Sequence, residues 1–537
     1  MTAHERLRAA VDRQQARLRA AVPADRQAAV LALLRARDGL PRSPGHEAVP
    51  DLVTGRRLDD PGGNRALALC LAADGGAGGG GDTDLDAWST HFLDACGRLA
   101  KAELVLAHAE TGFMLLVGEQ DHRFDAWIAT KRPPTTWRER ADVDWWAGWL
   151  ARRHEPELHA LEAQRPTPEA GDAEQDAYYR RLAGVRLETM AYQLGYPSDA
   201  ALDGCTVQTY RDVLGRLLAR ALRARDRHEA PSPCSESALV AEIASALGCD
   251  PAVVGRAVAA FTVDRESAAY HAAVPGVAAA PLVRIGPDQV VLSVSGLTTE
   301  PLLFLTRELR RRAAQAYHNT AFLREGVFRQ DLHALFGDRR FVTSAGRIEL
   351  RRAAGDVRTD VDAVIFDRKS GTLALFELKS QDPFARSTAE LLRQRDNVLY
   401  ANRQVSGVRT WLQRHGPNEL LARVDARTAK TFRAQKVYPF VLGRYLAHFG
   451  DGPEPDRRAA WGTWPQILRL LDAQPIRATD TNPIASLFAR LTRDVPRVGP
   501  PAADEPSREI DLGEARLVVH PAYAAFQARA APSSGRR

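Results

Sequence analysis

The chain has 537 residues, 45% of them hydrophobic and 26% charged, with a formal net charge of +6 and a pI of about 9.1. This length exceeds what one hydrophobic core organises, so it predicts roughly two to four domains of soluble globular composition. The charged N-terminus lacks the apolar core of a signal peptide, and no stretch of about 18 uninterrupted apolar residues occurs. We therefore expect a cytoplasmic protein without a membrane partner.

The cysteines and the basic residues set further limits. Five cysteines are scattered along the chain without a C-x-x-C pair, which argues against a disulfide framework or a structural zinc site. The basic balance suits a polyanionic partner but is small for this length. Only six of the 73 basic residues are lysines, so each lysine is a position to test for a role that arginine would not fill.

A mainly helical N-terminal domain is predicted over residues 1–165. Its first residues place apolar side chains at helical spacing, and a glycine run at 75–84 predicts a flexible loop. Trp145, Trp146 and Trp149 lie about one helical turn apart, a spacing more typical of a buried helix face than of a surface that stacks ligands. A proline-rich polar segment then ends the domain.

A second, helical domain is predicted over residues 176–297. Its segment 239–258 places apolar residues on two short helices around Gly248, and it therefore resembles a helix-turn-helix. The hairpin expected at 280–296 would serve as the wing of a winged-helix-like element. Because the second helix offers only Arg256 as an obvious base reader, a helix pair that merely packs is an equal alternative.

An α/β domain is predicted over residues 298–480, followed by a C-terminal extension and a disordered tail over 481–537. A long helix with one break, over 299–337, leads into short strands. Two of these strands, 360–367 and 372–378, are joined by the short segment RKSG. A connection of this length is typical of a β-hairpin.

The hairpin register places two carboxylates opposite each other. If the short loop closes the hairpin, Asp362 lies directly opposite Glu377. Because side chains two residues apart share a face, Asp360 and Lys379 join the same side. Opposed like charges destabilise a sheet, and buried carboxylates do so more strongly. Valine or threonine at these positions would make the sheet more stable, so stability alone does not explain the charged residues.

A divalent cation between Asp362 and Glu377 would offset this cost. Hard oxygen ligands at such a separation suit Mg²⁺, which keeps several waters and also meets phosphate oxygens. The compact ammonium of Lys379 would orient or deprotonate a water on the ion, or stabilise the charge that develops on a phosphate. Arginine, which stays protonated, would do only the last of these. We therefore predict Mg²⁺, or Mn²⁺, at this site.

The same residues carry a resemblance to a known family. Asp362 is followed after 14 residues by the run Glu377, Leu378 and Lys379, on consecutive strands between helices. This pattern resembles the PD-(D/E)XK nuclease superfamily, over about residues 310–450. The resemblance implies a restriction-endonuclease-like α/β/α core with a central mixed sheet, two metal-binding carboxylates at Asp362 and Glu377, and a catalytic lysine at Lys379. Asp360, in the same strand, would be an auxiliary carboxylate.

The resemblance also implies a glutamate on the helix before the core, where this chain has Arg329. Glu325 and Asp331 are the candidates for that carboxylate, because their spacing to apolar residues places both near the inward face of the helix. Glu325 is preferred. On the helix after the lysine strand, Gln394 and Tyr400 are candidates for residues near the active site. The alternative interpretation is that Gln394 faces solvent and that Tyr400 packs in the core.

The predicted function is Mg²⁺-dependent hydrolysis of phosphodiester bonds, with DNA favoured and RNA not excluded, in bacterial defence, restriction or repair. The competing interpretation is a non-catalytic nucleic-acid-binding or regulatory protein that uses the nuclease-like domain as a scaffold. A protein-interaction module is a third. If the charged residues form only a solvated ion cluster on an edge hairpin, none of this chemistry follows. The sequence is also compatible with a protein partner or with a homo-oligomer.

Overall fold

The computed structural model describes residues 2–39, 59–73, 84–110, 112, 114–120, 122–128, 136–167, 169–273, 278–351, 357–380, 388–447, 455–477, 479–494 and 507–520. Its α-helices are α1 (Ala3–Ala20), α2 (Arg26–Gly39), α3 (Asp59–Ala72), α4 (Leu85–Glu110), α5 (Thr136–Glu162), α6 (Asp172–Thr189), α7 (Val207–Asp226), α8 (Glu236–Leu247), α9 (Pro251–Ala260), α10 (Arg265–Ala272), α11 (Val294–Thr298), α12 (Pro301–Arg312), α13 (Ala314–Asn319), α14 (Ala321–Ala334), α15 (Thr388–Val424), α16 (Ala426–Thr431), α17 (Trp464–Ala473) and α18 (Pro483–Arg493). Its strands are β1 (Met114–Gln120), β2 (Arg123–Ile128), β3 (Ala201–Leu202), β4 (Cys205–Thr206), β5 (Pro233–Ser235), β6 (Thr262–Val263), β7 (Leu282–Gly286), β8 (Gln289–Leu292), β9 (Phe341–Thr343), β10 (Ile348–Arg351), β11 (Val357–Val361), β12 (Ala363–Asp367), β13 (Thr372–Lys379), β14 (Lys436–Gly443), β15 (Ala460–Thr463), β16 (Arg508–Asp511) and β17 (Arg516–His520).

A five-stranded mixed sheet organises the C-terminal half, with its strands in the order β15-β14-β13-β12-β9. β12 pairs antiparallel with β9 and β13, whereas β14 runs parallel to both β13 and β15. Parallel strands need a long crossover, and the one between β13 and β14 contains α15. β12 and β13 are buried along almost their whole length, as expected for a sheet covered on both faces. This arrangement agrees with the predicted α/β class and its mixed sheet.

The two faces of this sheet bury different side chains. On one face, Phe376 and Phe440 stack with ring centroids 4.7 Å apart and pack with α14, α17 and α18. On the other face, Leu375 packs with Trp411 of α15. Because side chains alternate along a strand, Glu377 lies on the α15 side, at the end of an otherwise apolar row.

The hairpin of β12 and β13 has the predicted register. Ala363 pairs with Phe376, so the next pair outward joins position 362 to position 377. The turn contains Gly371 with a φ of +62°, a left-handed conformation that glycine adopts without steric cost. A Cβ at Gly371 would also lie 2.9 Å from the carbonyl oxygen of Arg433. The turn therefore needs glycine for both conformation and space.

The predicted domain boundaries do not coincide with the hydrophobic cores. α5, assigned to the N-terminal domain, buries Trp146 in the core of the five-stranded sheet, so the tryptophan cluster packs in a core as predicted, but in a different one. α12, predicted as the start of the α/β domain, is buried with the upstream helices. The long predicted helix is three helices, α12, α13 and α14.

The described residues 481–494 and 507–520 do not form a separate extension. α18 packs against the five-stranded sheet, and β16 and β17 complete an N-terminal sheet in the order β1-β2-β17-β16. β17 pairs parallel with β2, a strand about 400 residues away in sequence. Short apolar segments cannot form a core alone, so they join cores that other parts of the chain provide. The predicted disordered tail, 531–537, lies outside the described residues.

The predicted helix pair and its hairpin are present. Gly248, with a φ of +63°, ends α8, and Asp250 caps α9. β7 and β8 form the hairpin, and β5 pairs with β8. The hairpin turn is tied down, because the carboxylate of Asp288 accepts hydrogen bonds from the hydroxyl of Ser235 at 2.7 Å and from the backbone N–H of Ser237 at 2.8 Å.

Within the described residues, no single helix has the length and apolar composition that crossing a membrane requires. α8 and α9 pass that test only as a pair, and the chain bends by 119° between them.

Candidate active site

Two carboxylates converge where the hairpin of β12 and β13 ends. Asp362 lies between β11 and β12, and its backbone N–H donates to the carbonyl oxygen of Phe376 at 3.1 Å. Glu377 follows on β13. The Asp362 carboxylate accepts a hydrogen bond from the backbone N–H of Leu378 at 2.7 Å, which holds it at the end of β13 beside the Glu377 side chain. Both carboxyl residues are only 6% exposed.

Lys379 is held between the carboxylates and α15. Its Nζ lies 2.6 Å from Oε1 of Glu377 and donates to Oε1 of Gln404 at 2.9 Å. Burial alone would lower the pKa of Lys379, but the charges of Glu377 and then Asp362 more than offset burial, so its pKa lies above the ordinary value. Lys379 is therefore a cation at neutral pH. This favours stabilisation of negative charge over abstraction of a proton.

The carboxyl groups hold their protons more tightly than they would in water. Burial, with the nearby charge of Asp362, raises the pKa of Glu377 to about 8. Burial also raises the pKa of Asp362, although the N–H of Leu378 acts in the opposite direction. Burial and the charge of Asp362 likewise raise the pKa of Glu325. With all its carboxyl groups ionised, the site would hold more negative charge than Lys379 offsets, and a bound cation would favour that ionised form.

Of the two candidates for a third carboxylate, Glu325 is the one that lies near the pair. Its charge interacts with those of Asp362 and Lys379. Asp331 instead forms an ion pair with Arg444, whose Nη1 lies 2.6 Å from Oδ2. Asp331 thus has an ion-pair partner of its own, whereas the charge of Glu325 acts on Asp362 and Lys379.

Arg329 stands where the family resemblance implied a glutamate. Its Nη1 donates to the backbone carbonyl oxygen of Asp362 at 3.0 Å. This bond supports the main chain at the point where it changes from β11 to β12. Arg329 therefore helps to place the carboxylate of Asp362 without contributing a metal ligand.

Asp360 lies on the side of Lys379, as predicted, but the predicted strand 360–367 is divided at Asp362 into β11 and β12. The chain turns at Asp362, and Asp360 pairs with Glu349 on β10. Its carboxylate lies 3.0 Å from Nη1 of Arg347 and accepts a weak hydrogen bond from Nε2 of Gln404 at 3.4 Å. Asp360 still borders the site, because its charge contributes to the raised pKa of Asp362.

Sequence reasoning missed Gln404. The side chain of the candidate Gln394 lies outside the described residues. Tyr400 is exposed instead of core-packed, and its ring centroid is 5.6 Å from Nζ of Lys379. Gln404 follows Tyr400 by four residues, so it lies one turn further along the same face of α15. That helical spacing was the available signal.

The donor set fits an ion that needs few protein ligands. Among the described residues, no group of three or more His, Cys, Asp or Glu side chains is close enough together to hold a metal ion. The site offers the paired carboxylates of Asp362 and Glu377, with Glu325 near them. Mg²⁺ is usually held by one or two carboxylates and keeps several waters, so this pair fits Mg²⁺. A structural zinc ion, which requires four ligands, does not fit.

Comparisons of the chain with models of known protein families, with curated proteins and with solved structures found no match. The resemblance to a nuclease superfamily therefore depends on Asp362, Glu377 and Lys379 and on their setting. The function of the protein is therefore inferred from the geometry of this chain alone.

Proposed function

We propose that this protein is a Mg²⁺-dependent nuclease that hydrolyses phosphodiester bonds, most readily in DNA, at a site built from Asp362, Glu377, Lys379 and Glu325. The proposal includes membership of the PD-(D/E)XK superfamily, a cytoplasmic location, and a role in defence, restriction or repair. One observation carries it: two adjacent buried carboxyl groups lie at the end of an apolar hairpin, with Nζ of Lys379 2.6 Å from Glu377, and burial raises the pKa of both carboxyl groups. Perturbed titration of this kind concentrates at functional sites.

The residues have complementary roles in the hydrolysis. The oxygen of water forms a bond to phosphorus, one ester P–O bond breaks, a water proton passes to solvent, and the leaving oxygen takes up a proton. When bound, Mg²⁺ neutralises phosphate charge and activates water for attack. Asp362 and Glu377 would hold the ion, and the N–H of Leu378 orients the Asp362 carboxylate. Lys379, positioned by Gln404, places its positive charge where negative charge grows on the phosphate oxygens.

A cleavage assay tests this proposal. The protein is incubated with linear, circular and single-stranded DNA and with RNA, in Mg²⁺, Mn²⁺ or EDTA. We expect cleavage with metal, none in EDTA, and a loss of at least about 100-fold in Glu377→Ala and Lys379→Ala. Glu419→Ala and Lys436→Ala are the matched controls, because both side chains are exposed in the same half of the chain, and they should cleave like the wild type.

Two results would contradict the nuclease proposal. One is cleavage that survives EDTA or either active-site substitution. The other is a folded protein that cleaves no substrate in any metal. DNA retention without cleavage, unchanged in Glu377→Ala and Lys379→Ala, would instead favour the second candidate function.

That second candidate is non-catalytic nucleic-acid binding. It is supported by the arrangement of α8 and α9 with the hairpin of β7 and β8, which is similar to a winged helix. Arg256 is exposed on α9. If this surface binds DNA, Arg256→Ala should weaken binding, whereas Arg265→Ala, an exposed arginine on α10, should not.

A further inference from the structure

Two large aromatic side chains are exposed beside the candidate active site. Among the described residues, four large hydrophobic side chains are exposed: Leu115, Val117, Phe322 and Tyr400. The first two lie on β1 of the N-terminal sheet. Phe322, 65% exposed, and Tyr400, 48% exposed, lie on α14 and α15, which border the site. Leaving such a ring in water forgoes part of the roughly 1.5–3 kcal/mol that its burial would contribute.

Each ring lies one helical turn from a residue of the site. Phe322 precedes Glu325 by three residues, and Tyr400 precedes Gln404 by four, so each ring shares a helix face with that residue. The ring centroid of Tyr400 is 5.6 Å from Nζ of Lys379. Because α14 and α15 pack on opposite faces of the five-stranded sheet, the two rings lie on helices from opposite sides of the sheet that carries Glu377.

The surface of α15 around Tyr400 is basic and polar. The guanidinium carbon of Arg403 lies 4.8 Å from the Tyr400 ring centroid. Asn397 and Arg393, about one and two turns earlier, are exposed on the same face. Cations that follow a phosphate backbone, interleaved with rings on which bases stack, are the combination that binds single-stranded nucleic acid.

Gly326 leaves the surface of α14 open beside Phe322. A glycine inside a helix costs about 0.5–1 kcal/mol relative to alanine. Packing does not require it here, because a Cβ at Gly326 would meet no neighbour closer than 3.9 Å, at Nη2 of Arg329. The missing side chain gives a base or sugar room to approach the ring of Phe322.

We propose that Phe322 and Tyr400 stack on unpaired bases of a single-stranded nucleic acid, on either side of the phosphate at the carboxylate pair. Paired bases in a duplex stack on one another and cannot stack on protein rings without being extruded, which costs free energy. The site should therefore prefer single strands and frayed ends. This inference rests on the proposed nuclease function and names the substrate class of the same site.

Binding is measured apart from cleavage. Labelled oligothymidine, oligouridine and a DNA duplex of equal length are titrated by fluorescence anisotropy in the Glu377→Gln background with Mg²⁺, where cleavage is removed. Phe322→Ala and Tyr400→Ala should each weaken single-strand affinity by about 5- to 150-fold, which corresponds to about 1–3 kcal/mol of base stacking. Duplex affinity should change little. Tyr400→Phe keeps the ring and should keep the affinity.

Leu115→Ala is the matched control, because it removes an exposed apolar side chain from the N-terminal sheet. Circular dichroism verifies that each variant is folded. A single-strand preference with either oligonucleotide, lost in the Phe322→Ala and Tyr400→Ala double variant, supports the proposal. Equal or tighter binding of the duplex, or alanine variants that bind like their parent, overturns it.

Failure of the two proposals can be distinguished. Normal metal-dependent cleavage together with unchanged affinity in the alanine variants overturns the stacking proposal and leaves the nuclease proposal intact. Ring-dependent binding of single strands by a wild-type protein that never cleaves overturns the nuclease proposal and supports the stacking surface.

Discussion

The side-chain amide of Gln404 connects Lys379 to Asp360. Its Oε1 accepts a hydrogen bond from Nζ of Lys379 at 2.9 Å, while its Nε2 lies 3.4 Å from Oδ1 of Asp360. A neutral amide at this position orients the ammonium without neutralising it. Lys379 thus keeps its full charge for a phosphate while its direction is set from α15.

Gln404→Ala should therefore lower kcat by about 10- to 100-fold, the usual cost of losing a group that positions a catalytic residue. The value of KM should change little, because Gln404 does not contact substrate in this proposal. Gln413→Ala, an exposed glutamine on the same helix, is the control. A change in KM alone would show that Gln404 binds substrate instead of positioning the lysine.

Without metal, the Glu377→Gln variant should become more stable than the wild type as pH rises. The pKa of Glu377 is raised from an ordinary 4.5 to about 8, so the folded state retains a proton that the unfolded state loses between these values. Stability is then lost as pH rises from about 4.5 to 8. The variant avoids this loss, and its Tm should exceed that of the wild type by roughly 2 °C or more at pH 8.

Thermal unfolding in EDTA at several pH values measures this effect. The Tm difference between Glu377→Gln and the wild type should be smallest at low pH and should grow toward pH 8. A difference that shrinks with rising pH would contradict the raised pKa.

Mg²⁺ should stabilise the wild type by binding the folded state. The expected gain is about 2.7 kcal/mol when free Mg²⁺ is 100 times its Kd. The gain should be larger at pH 8 than at pH 6, because protons and the ion compete for the Asp362 and Glu377 carboxylates. It should disappear in Asp362→Asn and persist in Glu419→Gln. An equal gain in both variants would show that the ion binds elsewhere.

The hairpin depends on a buried ion pair at its closed end. Arg340 donates from Nε and Nη2 to the two carboxylate oxygens of Asp367 at 2.5 and 2.6 Å, and both side chains are buried. Arg340→Met leaves the buried carboxylate of Asp367 without its cation and should lower the free energy of unfolding by about 3–5 kcal/mol. Arg339→Met, at an exposed neighbouring position, should change it little. Chemical denaturation distinguishes the two variants.

Gly326→Ala should separate stability from activity. Because a Cβ fits in the helix there, the substitution should raise the free energy of unfolding by about 0.4–1 kcal/mol. It should also lower cleavage of single strands, since Gly326 lies one helical turn from Phe322 on the same face of α14. Gly184→Ala, in α6 with no neighbour within 4 Å, should give the stability gain without loss of activity. Unchanged cleavage in Gly326→Ala would show that substrate does not approach this surface.

The local sequence pattern was sufficient to predict that the two carboxylates at the centre of the site lie next to each other. The positions of Asp362 and Glu377 follow from a short turn and from the two-residue alternation of a strand, and both act over only a few residues. The helix pair around Gly248 follows in the same way, from helical spacing and turn chemistry.

The surroundings of the site could not be derived in that manner. Asp360 leaves the ladder because β11 pairs with β10, and the choice between two available partners depends on the whole sheet. Gln404 reaches Lys379 only because α15 packs on the sheet at a position that brings Gln404 next to the end of β13. The hydrophobic cores cross the predicted domain limits for the same reason, since α5 and β17 complete a core and a sheet formed by distant parts of the chain.

The sequence by itself determined a hairpin that ends in two carboxylates and a lysine, because alternation and turn length are local properties. Only the tertiary structure decided which further groups surround them: Glu325 and not Asp331, Gln404, and the exposed rings of Phe322 and Tyr400. These choices depend on how helices pack across a sheet, where small differences in burial and charge among distant segments determine which side chain faces the site.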